Sequence, residues 1–466
     1  MKTYYLAVDI GASGGRHILG HLEEGRLILE EVYRFSNKME EKGGSLCWNL
    51  PRLFEEIKTG LKKCKAEGKL PCSMGIDTWA VDYVLLDKQK RILGNTYGYR
   101  DGRTKGMDQR VYEILSESEL YSRTGIQKQI FNTIYQLMAV KEHHPEQLKQ
   151  ARTFLMLPDY FHFLLTGNLC SEYTNATSTQ LVNAKTNDWD RKLMERLGIP
   201  DEIFLPLSQP GTAVGTFTKE LADEVGFSCQ VVLPATHDTA SAVMAVPGRE
   251  ENCLYISSGT WSLMGTENRQ AICSEESRRQ NFTNEGGYDH RYRYLKNITG
   301  LWMIQSVRHE LGDAYSFEQL CQMAEQSRFI SRVDVNDDVF LAPKSMCLAI
   351  RDACLKSGQP VPETPGEFAS VIYESLADSY GRTAKEIEGL TGKRYDSIHI
   401  VGGGSSAGYL NYLTARRAGR QVLAGPKEAT AIGNLMAQMI AKGEFSGLSK
   451  ARECVGQSFE ILEYRG

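Results

Sequence analysis

The sequence predicts an α/β protein of two domains enclosing a cleft. The first observation is length: 466 residues exceed what one hydrophobic core comfortably organises. The second is a strand–glycine turn–strand element that opens the chain, running from Tyr4 through Asp9, Gly11, Gly14 and Gly15 to Arg16. A comparable element follows at Leu254-Tyr-Ile-Ser-Ser-Gly-Thr260-Trp-Ser-Leu-Met-Gly265. The third is an apolar strand pattern, Ser397-Ile-His-Ile-Val401, running into Gly402-Gly403-Gly404 and a helix. The pattern restarts within residues 243–252, so the domains are expected at 1–245 and 246–466.

The elements follow from local pattern. Residues 4–9 carry β-formers, the turn at 11–15 returns the chain through His17-Ile-Leu-Gly-His-Leu22, and residues 27–35 complete a meander. Helical periodicity occupies residues 53–65. A strand at 73–77 leads into Thr78-Trp79-Ala80-Val81-Asp82, and residues 108–165 read mainly helical, with Pro145 and Pro158 as punctuation. The halves resemble each other in element order rather than in sequence.

Composition excludes several classes. Apolar residues make up 41% and charged residues 24%, ordinary for a globular protein. With 54 basic and 58 acidic residues the net charge is −4, which leaves no polybasic footprint for nucleic acid or an anionic membrane. No apolar run is long enough to span a bilayer, and the N-terminus turns polar at Asp9, too early for a secretory signal. Eleven cysteines without a Cys-x-x-Cys pair point to reduced thiols in a cytoplasmic protein. Monomer and homodimer both remain open.

The chemistry sits at the turns. Asp9 closes a strand before a glycine turn, where a carboxylate holds Mg²⁺ through water and backbone N–H groups approach phosphate oxygens; a plain hairpin turn is the alternative. Asp238 follows a β-like segment and opens a helix in Thr236-His237-Asp238-Thr239-Ala240-Ser241-Ala242. It is readable as a helix cap or as a general base toward a hydroxyl attacking a phosphoryl group. Ser257-Ser258-Gly259-Thr260 offers donors for β/γ-phosphates, and Gly402-Gly403-Gly404 permits close approach of a nucleoside. No Gly-x-x-x-x-Gly-Lys-Ser/Thr loop occurs; Gly389-Leu-Thr-Gly392-Lys393-Arg394 has the wrong spacing. A Ser-His-Asp hydrolase is disfavoured, because no Gly-x-Ser-x-Gly elbow exists. His143-His144 reads as surface.

Taken in order, these motifs resemble the FGGY family of carbohydrate kinases nearly end to end. They include Gly75-Ile-Asp77-Thr78-Trp79, Tyr99-Arg100-Asp101, Leu157-Pro158-Asp159-Tyr160 and Glu172-Tyr-Thr-Asn175. Thr236-His237-Asp238-Thr239, Asn284-Glu285-Gly286-Gly287, Lys296-Asn297 and Glu428-Ala-Thr-Ala-Ile-Gly433-Asn434 continue the series. The resemblance implies two ribonuclease-H-like (actin-like ATPase) domains flanking a central cleft. It also implies ATP-dependent phosphorylation of the C1 hydroxyl of a ketose, with Mg²⁺, L-rhamnulose preferred and L-fuculose or L-xylulose types as alternatives. Asp238 would be the catalytic proton acceptor. Ala12, Ser13, Gly14, Gly15, Arg16, Thr260, Gln305, Gly402, Gly403 and Gly404 would bind ATP. Trp79, Ala80, His237, Asp238, Thr239 and Asn297 would contact the sugar, and Asp9 the metal. Ala80 stands where the pattern usually has Gly, and Gly404-Ser-Ser-Ala-Gly408 lacks the Gln-Asn that commonly follows the triple glycine. An ATPase machine of the actin or chaperone kind shares this fold and is the non-kinase alternative.

Overall fold

The computed structural model describes residues 2–248 and 252–466; of the expected boundary stretch, residues 249–251 lie outside the described residues. The chain clusters into two units, each discontinuous in sequence. The first comprises residues up to Ala245, Asn268–Tyr294 and Thr430–Cys454; the second comprises Val246–Glu267, Leu295–Ala429 and Val455–Gly466.

The first unit is built on β1 (Tyr4–Ile10), β2 (Gly14–Glu23), β3 (Arg26–Ser36), β4 (Pro71–Thr78), β5 (Ala213–Thr216) and β6 (Gln230–Val232). Its sheet order is β5-β6-β4-β1-β2-β3. The meander β1–β2–β3 is antiparallel, whereas β1, β4 and β6 run parallel. Helix α1 (Leu50–Ala66) starts where Asn49 accepts the Arg52 N–H, with Pro51 in the first turn. Its buried face, Leu53, Ile57, Leu61 and Cys64, joins Leu6, Val8 and Ile10 of β1 and Met74 and Ile76 of β4 in one core. Helix α2 (Leu157–Thr166) carries Pro158 in its first turn and adds Phe161 and Leu165 to that core. A separate core gathers Tyr83, Ile134, Tyr135, Phe154 and Trp189. Helix α3 (Asp238–Met244) follows β6.

The second unit is built on β7 (Cys253–Ser258), β8 (Trp261–Asn268), β9 (Tyr292–Thr299), β10 (Ser397–Val401), β11 (Gln421–Ala424) and β12 (Leu462–Tyr464), in the order β9-β8-β7-β10-β11-β12; Asn268 at the end of β8 and Tyr292–Tyr294 at the start of β9 belong to the first unit. Antiparallel β8–β7, parallel β7–β10 and β10–β11, then antiparallel β11–β12 repeat the pairings of β2–β1, β1–β4, β4–β6 and β6–β5. The repeat read from element order is therefore present in the ladders. Helix α4 (Pro365–Thr391) opens on a Thr364/Glu367 capping box and stops at Gly392, whose φ is 67°. That helix end is what the misspaced Gly389–Gly392 stretch encodes.

Helix α5 (Ala429–Ala441) enters the first unit from Thr430 onward. Gly433 lies against Ser241 of α3 so closely that a Cβ would meet the Ser241 carbonyl oxygen at 1.8 Å. Asn434 donates to the Asp77 carboxylate at 2.6 Å and to the Gly75 carbonyl at 3.1 Å, and Gln438 donates to the Leu6 carbonyl at 2.9 Å.

Candidate active site

The carboxyl ends of the parallel strands bring the acids of the first unit together. Asp9 and Asp77 are register partners on β1 and β4, and Thr78 continues into a parallel bridge with His237. In open α/β sheets this edge is where ligands bind. Asp238 is the first residue of α3, with His237 in the cap position, so its carboxylate does not serve as the helix cap. Instead Oδ1 accepts from the N–H of Thr239 at 2.5 Å and its hydroxyl at 3.1 Å. Burial raises its proton affinity above the ordinary carboxylate range, with His237 and Thr239 opposing and Asp9 reinforcing that rise. Its side chain still exposes 33% of its surface. A carboxylate that is half-buried yet accessible, more basic than usual and fixed through one oxygen is equipped to accept a proton.

Asp9 is directly opposite Arg16 in the β1–β2 register, and the guanidinium donates to Oδ2 from Nε at 2.9 Å and Nη2 at 2.8 Å. Two residues assigned separately from sequence, one to metal and one to nucleotide, are thus paired with each other. Gly14 and Gly15 owe their identity at least partly to packing, since a Cβ on Gly15 would meet the Phe35 ring at 2.3 Å. Ser13 at the tip of the turn is exposed and Ala12 half-buried.

Magnesium bound mainly by phosphates and water needs one or two carboxylates rather than a protein cage. No cluster of three or more His, Cys, Asp or Glu side chains fit for a metal occurs among the described residues. Asp9 nonetheless fits a water-mediated role, as a strand-end carboxylate beside the glycine turn whose two described Arg16 bonds both fall on Oδ2.

The Trp79-Ala80-Val81-Asp82 loop is tightly fixed. Val81 has φ 67°, and the Asp82 N–H bonds the Ala80 carbonyl at 2.9 Å, a positive-φ γ-turn on a β-branched residue. Ser178 bonds the Val81 N–H while Thr133 and Gln136 donate to its carbonyl, and together they hold this strained conformation. Asp82 is fully buried and accepts from Trp48 and Trp79 indoles, the Gln136 amide and the Tyr99 backbone. Trp79 is consequently buried with its N–H taken, and Ala80 is the more exposed of the two. Glu172, also buried, accepts the N–H and hydroxyl of both Thr174 and Thr236 and the N–H of Asn175, fastening the residue before His237.

On the second unit, the Thr260 turn is clasped by backbone bonds from Leu301 to Gly259 and from Trp302 to Thr260. Gly402 has φ 85°, and a Cβ on Gly404 would meet the Ser258 hydroxyl at 1.9 Å, so the first and third of the three glycines are required by close approach to the Ser258 strand end. Gln305 lies half-buried on the helix Trp302–Glu310, and Asn297 half-buried on β9 beside Lys296, which pairs with Glu386. The structure thus gathers Asp9, Ala12 to Arg16, Trp79, Ala80 and His237 to Thr239 on the first unit. Thr260, Asn297, Gln305 and Gly402 to Gly404 belong to the second.

Sequence reasoning assigned no role to Asp82, Glu172 or Arg293. Asp82 carried a usable signal, a lone acid inside the apolar run 79–86; the contacts that tie the other two to the site, Glu172 to Thr236 and Arg293 to His237, join residues far apart in the chain.

The strand-end carboxylates and glycine turns are those of a sugar kinase, and family models agree. Residues 4–245 match the N-terminal domain and residues 254–442 the C-terminal domain of the FGGY family of carbohydrate kinases; the chain belongs to that family. It is 50% identical to the rhamnulokinase of Halalkalibacterium halodurans, across 99% of this chain and 98% of that protein. It is 43% identical to the rhamnulokinase of Bacillus subtilis, across 98% and 94%. The fold also matches a ligand-bound xylulose kinase from Lactobacillus acidophilus, with TM-score 0.79 at 17% identity over 99% of this chain and 94% of that one. A glycerol kinase with ADP from Plasmodium falciparum matches at TM-score 0.79 and 13% identity, over 99% and 94%.

Proposed function

We propose that this chain transfers the γ-phosphoryl group of ATP to the C1 hydroxyl of L-rhamnulose, giving L-rhamnulose 1-phosphate and ADP. The observation that carries the mechanism is Asp238, an accessible carboxylate with raised basicity at the strand-end edge beside Asp9. The sugar's identity rests on near full-length likeness to rhamnulokinases.

Asp238 accepts the C1 hydroxyl proton as the oxygen attacks phosphorus; the new P–O bond replaces the bond to the β-phosphate oxygen, and ADP leaves. His237, Thr239, Asn297 and the Trp79–Ala80 segment hold the ketose. The turn from Ala12 to Arg16 with Thr260, Gln305 and the triple glycine holds the nucleotide. Magnesium, attached through water to Asp9, would neutralise charge on the β- and γ-phosphates. No helix among the described residues is long and apolar enough to cross a membrane, and the eleven cysteines are free thiols. The enzyme accordingly belongs in the reducing cytoplasm.

Coupled ADP release over a panel of ketoses tests the assignment. L-rhamnulose should give the highest kcat/KM, with Ala80 setting its margin over L-fuculose and L-xylulose by ~1–3 kcal/mol. Asp238→Ala should cut turnover by roughly 10²–10⁴-fold with ATP affinity retained. Near-normal turnover in that variant removes Asp238 from the role, and ATP hydrolysis indifferent to every ketose favours the ATPase machine.

A further inference from the structure

Behind His237 lies an ion pair that the reaction scheme does not use. Arg293, on β9, has no exposed surface, and Glu285 is only 7% exposed. Arg293 Nε donates to the Gly286 carbonyl at 2.9 Å, and its Nη2 lies 3.0 Å from both Glu285 Oε2 and His237 Nδ1. On the other side of the imidazole, Nε2 is 3.4 Å from Asp238 Oδ1.

A guanidinium has only N–H groups to offer. The imidazole nitrogen facing Nη2 must present its lone pair, so the ring proton belongs on Nε2. The opposite tautomer would send an Nδ1 hydrogen toward Glu285 Oε2, 3.2 Å away, and set it against the Arg293 donor. Burial favours a neutral Glu285, yet the Arg293 guanidinium beside it overcomes that and holds the carboxyl below the ordinary range, so Glu285 stays ionised and balances the buried guanidinium.

We propose that Arg293 and Glu285 are positioning residues for the phosphoryl transfer: Arg293 takes the Nδ1 lone pair of His237, fixes the proton on Nε2 and aims a neutral donor at Asp238, while Glu285 compensates Arg293. With Oδ1 already receiving both Thr239 donors and facing Nε2–H, Oδ2 is the oxygen kept basic for the ketose hydroxyl. This role rests on the reading of Asp238 as proton acceptor; the tautomer does not.

The test is long-range ¹H–¹⁵N correlation NMR on the full chain labelled with ¹⁵N-histidine, in which His237→Asn identifies the relevant signals among nine histidines. The wild type should show an Nε2–H tautomer at neutral pH, and Arg293→Met should bring in the Nδ1–H form. A wild-type Nδ1–H or imidazolium signal, or a tautomer unchanged by Arg293→Met, overturns the proposal. In turnover, Glu285→Gln and Arg293→Met should lower kcat roughly tenfold or more, a share of the 10²–10⁴-fold a general base supplies, with KM for ATP unchanged. Arg293→Lys, which keeps a donor, should recover most of the loss. Unaltered kcat in Glu285→Gln, the isosteric variant that keeps the fold, removes the pair from positioning. The wild-type spectrum needs no active enzyme, so an Nε2–H signal in a chain inert toward every ketose would unseat the kinase reading and leave the tautomer standing.

Discussion

Trp79 donates its indole N–H to Asp82 Oδ2 at 2.9 Å, and Trp48 donates to the same oxygen at 2.6 Å, with the two rings 4.1 Å apart. Burial lifts the Asp82 carboxyl to about 6, against the pull of its donors. A folded-state value above the unfolded one means that this group favours the folded chain most below the unfolded value, 3.8, and loses that contribution as pH rises through about 6. Tryptophan fluorescence should therefore titrate near pH 6 in the wild type and not in Asp82→Asn. In urea unfolding, the wild type's stability relative to Asp82→Asn should fall between about pH 4 and pH 6 and level off above that. A difference independent of pH would show that Asp82 does not titrate in this range.

Glu172 gathers donors from two segments at once, including Thr236 N–H at 3.1 Å and its hydroxyl at 2.6 Å. Glu172→Gln turns an amide NH₂ toward those donors and should cost ~1–3 kcal/mol, since a buried donor left without an acceptor carries its full desolvation penalty. Calorimetry should register a Tm lower by several degrees, at roughly 2–4 °C per kcal/mol for units of this size. Turnover should fall too, because Thr236 leads directly into His237 and Asp238. Unchanged Tm and kcat would show that Glu172 fastens nothing of consequence.

Gly433→Ala places a methyl group against the Ser241 backbone, whose carbonyl oxygen would be 1.8 Å away. Helix α3 must shift to relieve it, and α3 begins at Asp238. We expect a loss of ~1–3 kcal/mol from overpacking, together with reduced kcat. Gly389→Ala, inside α4 with nothing within 4 Å, is the control and should stabilise by up to ~1 kcal/mol. Equal behaviour of the two variants in a thermal melt would contradict the close packing of α5 on α3.

What was legible in the sequence was local. Asp9 and Asp238 announce themselves because each sits where a strand or helix boundary meets small residues, and boundaries are written in neighbouring positions. The triple glycine was legible for the same reason, although Ser258, which forces Gly402 and Gly404, is far away. Trp79 was expected to contact the sugar; that its ring packs on Trp48 and its N–H is committed to Asp82 could not be read in advance, because the geometry depends on the turn at Val81. Arg16 and Asp9 were read apart because β-ladder register, which sets them opposite, is not a property of either residue. Arg293 meets His237 only through tertiary packing, and no periodicity encodes that meeting.

The late return of α5 into the first unit bears on how the protein can be dissected. A fragment ending near residue 245, although it contains one complete family-model match, would be made without Asn434 and Gln438. The buried Asp77 carboxyl and the Leu6 carbonyl would then be stripped of their donors, and the groove beside α3 laid bare. Ribosomal synthesis faces the same constraint: the polypeptide cannot finish its opening lobe until Thr430–Cys454 has emerged.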